Sequence, residues 1–177
     1  MSELAKVIRH GANRGMITLR GDLTSRKFKR ALKAATGLGV PVAGKIIGTG
    51  QTGVVWMSPD EVLVMVPYGE VNGAISAIDT TLAGQHYLAA DVSDARAVFT
   101  LTGPHPREVL ARLCPVDLHV DRFGEGDARR TRMAQVAAAF WCHGSGFDVV
   151  CFRSVGDYMD GLLRNAAKAS PTGALGT

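Results

Sequence analysis

Aromatic residues are scarce in this 177-residue chain, at 6% (two Trp, three Tyr, six Phe). A nucleic-acid surface built on base stacking would therefore have little to work with. There are three cysteines, Cys114, Cys142 and Cys151. They cannot all pair, and so few make no disulfide framework, which points to the reducing cytoplasm. Nothing approaches the roughly 18 consecutive apolar residues that a bilayer span requires. The longest apolar runs are Val62–Pro67 and Met133–Cys142, the latter broken by Gln135. The opening Met1-Ser2-Glu3-Leu4-Ala5-Lys6 has no apolar core of the kind a secretory signal needs. Acidic residues are nearly missing from residues 1–50, where Glu3 and Asp22 face 10 Lys/Arg, a balance of +8. Residues 51–177 hold 10 Lys/Arg and 14 Asp/Glu, a balance of −4. The net charge of +4 thus originates in the first 50 residues.

The length fits about one domain on a prior of roughly 150 residues each. Apolar residues at 46% and charged ones at 20% supply enough core for a fold without staples. Residues 1–15 are polar and Gly-punctuated and read as a loose arm. Met16–Arg20 reads as a strand, followed by a helix capped at Thr24 or Ser25 whose apolar face is Phe28, Ala31, Leu32 and Ala35. Strand signals follow at Lys45–Gly48, Val54–Met57 and Val62–Val66. The last is apolar on both faces, as a covered central strand would be. Pro67 opens a helix whose stripe is Val71, Ile75, Ile78 and Leu82, and His86–Val92 reads as a strand. The pattern then restarts. Ala97–Leu101 is a strand, Pro106 to about Leu113 a helix, and Pro115–Asp127 an irregular link. Strands follow at Arg132–Ala137, Ala138–Cys142 and Phe147–Phe152, and a helix from about Val155 to Ala167.

The order β-α-β-β-β-α occurs twice. Ile17–Gly21 aligns with Phe99–Gly103 at an offset of 82, Trp56 with Trp141 at 85, and Val64–Val66 with Val150–Phe152 at 86. The expected fold class is α+β: two such halves, with a mostly antiparallel sheet and helices packed on it. Residues 16–168 would form a single domain with pseudo-repeat halves at about 16–92 and 93–168, and 169–177 a flexible tail.

Motifs for chemistry are weak. Gly48-Thr49-Gly50-Gln51-Thr52-Gly53 matches G-x-G-x-x-G, but the β-prone Val54–Met57 follows where a phosphate-binding helix should start, so a hairpin turn is preferred. Ser58-Pro59-Asp60-Glu61 reads as a β-turn. Cys114, His119, Cys142, His143 and Cys151 lack metal-ligand spacing. His143-Gly144-Ser145-Gly146 lacks the order of a nucleophile elbow, and Asp91 with Asp94 reads as a strand-end turn. Two basic sets stand out: Arg26, Lys27, Lys29, Arg30 and Lys33 on the first helix, and Arg129, Arg130 and Arg132 at a strand entry. No legible active site emerges, which favours a binding or assembly role.

Several strings in order resemble the gamma subunit of heterotetrameric sarcosine oxidase. They are Ile17–Asp22, Trp56–Glu61, Val92–Arg96, Gly103-Pro104, Leu113–Leu118, Arg130–Val136 and Phe152–Tyr158. The resemblance implies a fold like the folate-binding part of the glycine-cleavage T-protein. It implies a non-catalytic assembly subunit of a complex that oxidatively demethylates sarcosine to glycine and passes the one-carbon unit to tetrahydrofolate. FAD, FMN, NAD, tetrahydrofolate and zinc would sit on other subunits, with no cofactor or metal on this chain and no active site of its own. The partners would be alpha, beta and delta subunits, without nucleic acid or membrane. Two alternatives stay open: an independent folate-binding aminomethyltransferase-like protein, and a gamma-type subunit of a related N-methyl amino acid dehydrogenase complex, N-methylglutamate being one candidate substrate. On the favoured reading the interface candidates are Arg130, Arg132, Gln135, Arg153, Asp157 and Tyr158, together with Lys27, Lys29 and Lys33. The competing expectation for Arg132 and Asp157 is that they pair with each other internally.

Overall fold

The structure, a computed structural model, describes residues 4–11, 14–49, 51–144 and 146–175. In chain order the elements are β1 (Lys6–Arg9), β2 (Arg14–Arg20), α1 (Arg26–Thr36), β3 (Ile46–Thr49), β4 (Thr52–Ser58), β5 (Glu61–Pro67), α2 (Val71–Leu82), β6 (Leu88–Asp91) and β7 (Arg96–Thr102). Then come α3 (Pro106–Ala111), β8 (Ala128–Met133), β9 (Val136–His143), β10 (Gly146–Phe152) and α4 (Gly156–Ala167). The chain divides into two compact units, Ala12–Asp94 on the one hand and Met1–Gly11 with Ala95–Thr177 on the other. Each holds its own five-stranded sheet, ordered β3-β4-β5-β2-β6 and β8-β9-β10-β7-β1, and every pairing is antiparallel.

In the unit Ala12–Asp94, β5 lies between β4 and β2, and Glu61 through Val66 are all buried. Alternation sends Ile17, Leu19, Val54, Val62, Val64 and Val66 toward α1 and α2. From α1 come Phe28, Ala31 and Leu32, and from α2 Val71, Ala74, Ile78 and Leu82. Each large side chain so buried contributes roughly 1.5–3 kcal/mol. The Ser25 hydroxyl accepts from the Phe28 amide at 3.1 Å and starts α1, and Gly37 ends it in the left-handed region at φ 73°.

The second unit buries Phe99, Leu101, Phe147, Val149 and Phe140 against Val109, Leu110, Met159 and Leu163. Phe123, from the link after α3, meets Phe140 and Phe147 at ring-centroid distances of 5.3 and 6.1 Å. The link is pinned by Arg107, whose guanidinium donates to the Leu118 and Phe123 carbonyls and lies over the Phe147 ring.

The two sheets correspond strand for strand. Ile17 pairs with Val64 and Phe99 with Val149, which fixes offsets of 82 (99 − 17) and 85 (149 − 64). The fifth strand has two different origins. β6 follows α2 in the chain, whereas its counterpart β1 comes from the N-terminal segment. The Val92 amide donates to the Met16 carbonyl at 2.8 Å, and at the matching place the His10 amide donates to the Val98 carbonyl at 2.9 Å. Lys6–Arg9 is thus a strand where the sequence suggested a loose arm. Its partner β7 is some 90 residues away, so no local pattern marks it. Residues 170–175 are also tied down. Glu108 accepts from the Thr172 and Gly173 amides at 2.7 and 2.8 Å, and Arg112 donates to the Ser170 carbonyl at 2.9 Å.

The registers correct three sequence expectations. Val54 pairs with Val64 and Phe140 with Val149, an offset of 86 (140 − 54), so Trp56 matches Cys142 and Trp141 matches Val55. The two tryptophans therefore point to opposite faces of their sheets; a one-residue slip reverses a strand. Val64–Val66 matches Val149–Cys151, one residue earlier than the aligned strings. The β8–β9 turn falls at Ala134-Gln135, with Ala134 at φ 49°, and not between Ala137 and Ala138.

One close approach recurs with the residues exchanged. A Cβ on Gly15 would lie 2.4 Å from Val71 Cγ2 and 2.8 Å from the Val66 carbonyl oxygen. At the matching place the strand carries Ala97 and the helix Gly156, whose Cβ would lie 3.1 Å from Ala97 Cβ. In each unit one glycine lets the second helix cross its strand.

Candidate interface surfaces

The residues marked by sequence fall on three surfaces. Arg130 and Arg132 are exposed on β8, the terminal strand of its sheet, with exposed Gln135 in the adjoining turn. Arg132 donates to Gln135 Oε1 at 2.8 Å. Arg153, Asp157 and Tyr158 are exposed where β10 passes through a 3-10 turn (Arg153–Val155) into α4. Asp157 pairs with Arg9 of β1, at the opposite edge of the sheet from β8. The expected Arg132–Asp157 pair is thus not formed: each finds a nearer partner, one in its own hairpin and one on the neighbouring strand. Lys27, Lys29 and Lys33 lie on α1, exposed together with Arg26 and Arg30.

Beside the expected Tyr158, the β10–α4 junction also holds Phe152 and Arg96, which sequence reasoning missed. Phe152 and Tyr158 are 50% and 52% exposed, and the Arg96 guanidinium lies 4.1 Å from the Phe152 ring centroid. Exposed Phe, Tyr and Arg in one neighbourhood match the composition of interaction hot spots. The signal was an aromatic closing an apolar strand just before a polar helix start.

A second missed feature is a polar chain across the same sheet. His10 meets the Thr100 hydroxyl at 2.6 Å, the Thr100 hydroxyl donates to Asp148, and His143 lies 3.2 Å from Asp148 Oδ1. Thr100 and Asp148 are cross-strand partners. A carboxylate between Phe147 and Val149 was the sequence clue, since a buried charge needs such partners.

The candidate chemistry resolves into structure. Thr52 and Gly53 of the glycine-rich stretch pair with Thr49 and Gly48 in a hairpin, and Gly50 lies outside the described residues. His143 pairs with Gly146 across the next hairpin, and Ser145 lies outside the described residues. Asp91 accepts from Ser93, and Asp94 accepts from the Tyr68 hydroxyl at 2.9 Å, so the two carboxylates serve separate contacts. All three cysteines are buried and free. Burial pushes the Cys114 and Cys151 thiols up to about 11 and raises Cys142, the reverse of activation. No three His, Cys, Asp or Glu among the described residues converge as metal ligands. An open groove of about 400 Å³ runs between α1 and α2, lined by Ala34, Ala35, Gly73, Ala74 and Ala77, with Gly69 and Glu70 at one end. No described helix is long and apolar enough to cross a membrane.

Comparison with known proteins places this arrangement. The sarcosine oxidase, gamma subunit family matches residues 20–169. A sarcosine oxidase subunit gamma from Arthrobacter sp is 36% identical over 113 residues, covering 63% of this chain and 55% of the relative. One from Corynebacterium sp. (strain U-96) is 37% identical over 114 residues, covering 63% and 54%. These alignments span about half the length of the curated relatives. A chain of the heterotetrameric sarcosine oxidase from Corynebacterium sp. U-96, solved with pyrrole 2-carboxylate, superposes with a TM-score of 0.82 at 28% identity, covering 94% of this chain and 87% of that one. The glycine cleavage system aminomethyltransferase T from Bartonella henselae superposes with a TM-score of 0.63 at 12% identity, covering 92% and 45%, and so shares the fold. With 150 of its residues (20 through 169) matched by the family model, this chain belongs to the sarcosine oxidase gamma subunit family.

Proposed function

We propose that the chain is a gamma-type assembly subunit of a multi-subunit sarcosine oxidase, an oxidoreductase complex acting in the cytoplasm. The observation that carries this is the superposition on a chain of a heterotetrameric sarcosine oxidase over 94% of the length. In this reading alpha, beta and delta subunits supply the reacting groups. FAD, FMN, NAD, tetrahydrofolate and zinc belong to them, and sarcosine is demethylated to glycine there with transfer of the one-carbon unit to tetrahydrofolate. This chain contributes surface. Exposed side chains on β8 and its turn (Arg130, Arg132, Gln135), at the β10–α4 junction (Arg153, Asp157, Tyr158) and on α1 (Lys27, Lys29, Lys33) are its docking residues. Arginine and tyrosine supply large contact area and charge-assisted hydrogen bonds at interfaces.

Affinity purification of the tagged chain, co-expressed with its neighbouring genes, tests this reading. Recovery of a large flavoprotein is expected. Recovery of the bare monomer under all conditions contradicts the reading. Titration of the chain with tetrahydrofolate separates it from the aminomethyltransferase-like alternative, which requires a heat of binding or a fluorescence change at Trp56 or Trp141.

A further inference from the structure

We propose that the α1 face carrying Arg26, Lys27, Lys29, Arg30 and Lys33 docks a carboxylate-rich surface of a partner protein subunit. The inference rests on the assembly-subunit reading above and names which surface is used and for what chemistry.

Four observations carry it. First, all five cations are exposed, while Phe28, Ala31 and Leu32 hold α1 to its sheet. The charges therefore contribute nothing to the core. Second, three exposed arginines elsewhere have carboxylates beside them (Arg9 has Asp157, Arg20 has Asp60 and Arg164 has Asp160), and two more are held by neutral oxygens, Arg112 by the Ser170 carbonyl and Arg132 by Gln135. Among the described residues no carboxylate lies within ion-pairing distance of the five α1 cations, and α1 itself contains no Asp or Glu. Asp22, just before the helix, is held first by the Thr24 hydroxyl and amide and more weakly by the charge of Lys29, so it offsets one of the five cations in part.

Third, the spacing is unfavourable in the chain alone. Arg26 to Lys29, Arg26 to Arg30, and Lys29 to Lys33 stand at i,i+3 or i,i+4, where like charges repel. Three of the cations also occupy the first turn, at the positive end of the helix dipole. Negative charge from outside relieves both penalties at once. Fourth, the neighbourhood lacks what nucleic acid would use. No aromatic side chain stands among the cations on the exposed face, and the α1–α2 groove beside it is lined by alanine and glycine with the single charged residue Glu70. Small side chains next to a charged ridge let a partner backbone approach closely, as protein–protein contacts require.

The test uses the full chain co-expressed with the other subunits, comparing wild type with K27E/K29E/K33E. Alone, the triple variant is expected to fold and to melt close to the wild-type temperature: K27E and K29E suit the positive end of the dipole, whereas K33E places a carboxylate in the last turn and forms with K29E another like-charged i,i+4 pair. Its assembly into the complex, by size exclusion and by association rate, is expected to weaken at least tenfold. The wild-type rate is expected to fall with added salt, and the variant is expected to lose that dependence. In hydrogen exchange, α1 is expected to be more protected in the wild-type complex than in the free chain.

Assembly of the variant at the wild-type level and salt slope overturns the inference and leaves the subunit reading standing. Failure of the wild type to assemble removes both. Poly-glutamate and a 20-base-pair duplex DNA serve as probes of source. Binding of the duplex that depends on the three lysines, with assembly unchanged, assigns the face to nucleic acid and overturns the proposal. If the triple variant fails to fold, K27Q/K29Q/K33Q is compared in its place, with the same outcomes.

Discussion

Replacing Gly15 by alanine probes the strand–helix crossing that defines each unit. The new Cβ would lie 2.4 Å from Val71 Cγ2, 2.8 Å from the Val66 carbonyl oxygen and 3.1 Å from that of Pro67. Val66 is the residue paired with Gly15 across β2 and β5, so its oxygen cannot retreat without loosening the ladder. Overpacking of a rigid site costs about 1–3 kcal/mol, and two contacts under 3.0 Å, one of them to backbone, put G15A at about 2–3 kcal/mol. For a chain of this size that lowers Tm by about 5–10 °C. The matching change, G156A, meets Ala97 Cβ at 3.1 Å and Arg9 Nη2 at 3.0 Å, and the guanidinium can swing away. It should cost about 1 kcal/mol or less, offset in part by the better helix propensity of alanine. Adding V71A to G15A should recover part of the loss, because the Val66 oxygen remains. Calorimetry of the three variants is the assay. G15A melting within 2 °C of wild type, or G156A costing more than G15A, would refute the crossing as described.

Three further outcomes follow from the cores. Burial pushes the Glu108 carboxyl up, but hydrogen bonds from the Thr172 and Gly173 backbone and from the Thr172 side chain, with His105 nearby, bring it below the ordinary value of 4.5. A depressed carboxylate contributes stability above its unfolded value that is lost as pH falls through the folded one. E108Q should therefore cost about 1–3 kcal/mol at neutral pH, flatten the acid side of the Tm–pH curve and free residues 170–175 to proteolysis; an unchanged curve counts against the strap. F123A should cost about 3–5 kcal/mol, since it empties the space between Phe140 and Phe147, and a loss under about 1 kcal/mol by denaturant melts contradicts that packing. Native thiols should resist a disulfide reagent at pH 8, with all three titrating in denaturant; rapid native labelling would show that Cys114 and Cys151 are not the buried groups described.

Element identity was legible where one strand or helix carries its own pattern. The continuous apolar run and double burial of Val62–Val66, the Ser25 cap and the α2 stripe are local, and the structure shows each. Pairings between distant segments were not. β1 is four residues long and draws its stability from β7, so its sequence resembles an arm. The β8–β9 turn places an alanine at positive φ, so neither Gly nor Asn marks it. Strings of apolar residues align a repeat only to within a residue, which is why the two tryptophans looked equivalent. Of the candidate surfaces, residue types were visible and partners were not. Arg9 falls in a segment whose sequence reads as a loose arm, so the sequence does not show the ion pair of Asp157.

Membership of a larger oxidoreductase assembly is tested by intact-mass measurement of the complex purified through this chain, with a sarcosine-dependent peroxide assay on the same sample. A stoichiometric complex that contains this chain and produces peroxide from sarcosine is expected. A chain found only by itself, with the peroxide activity in fractions that lack it, rules out that membership.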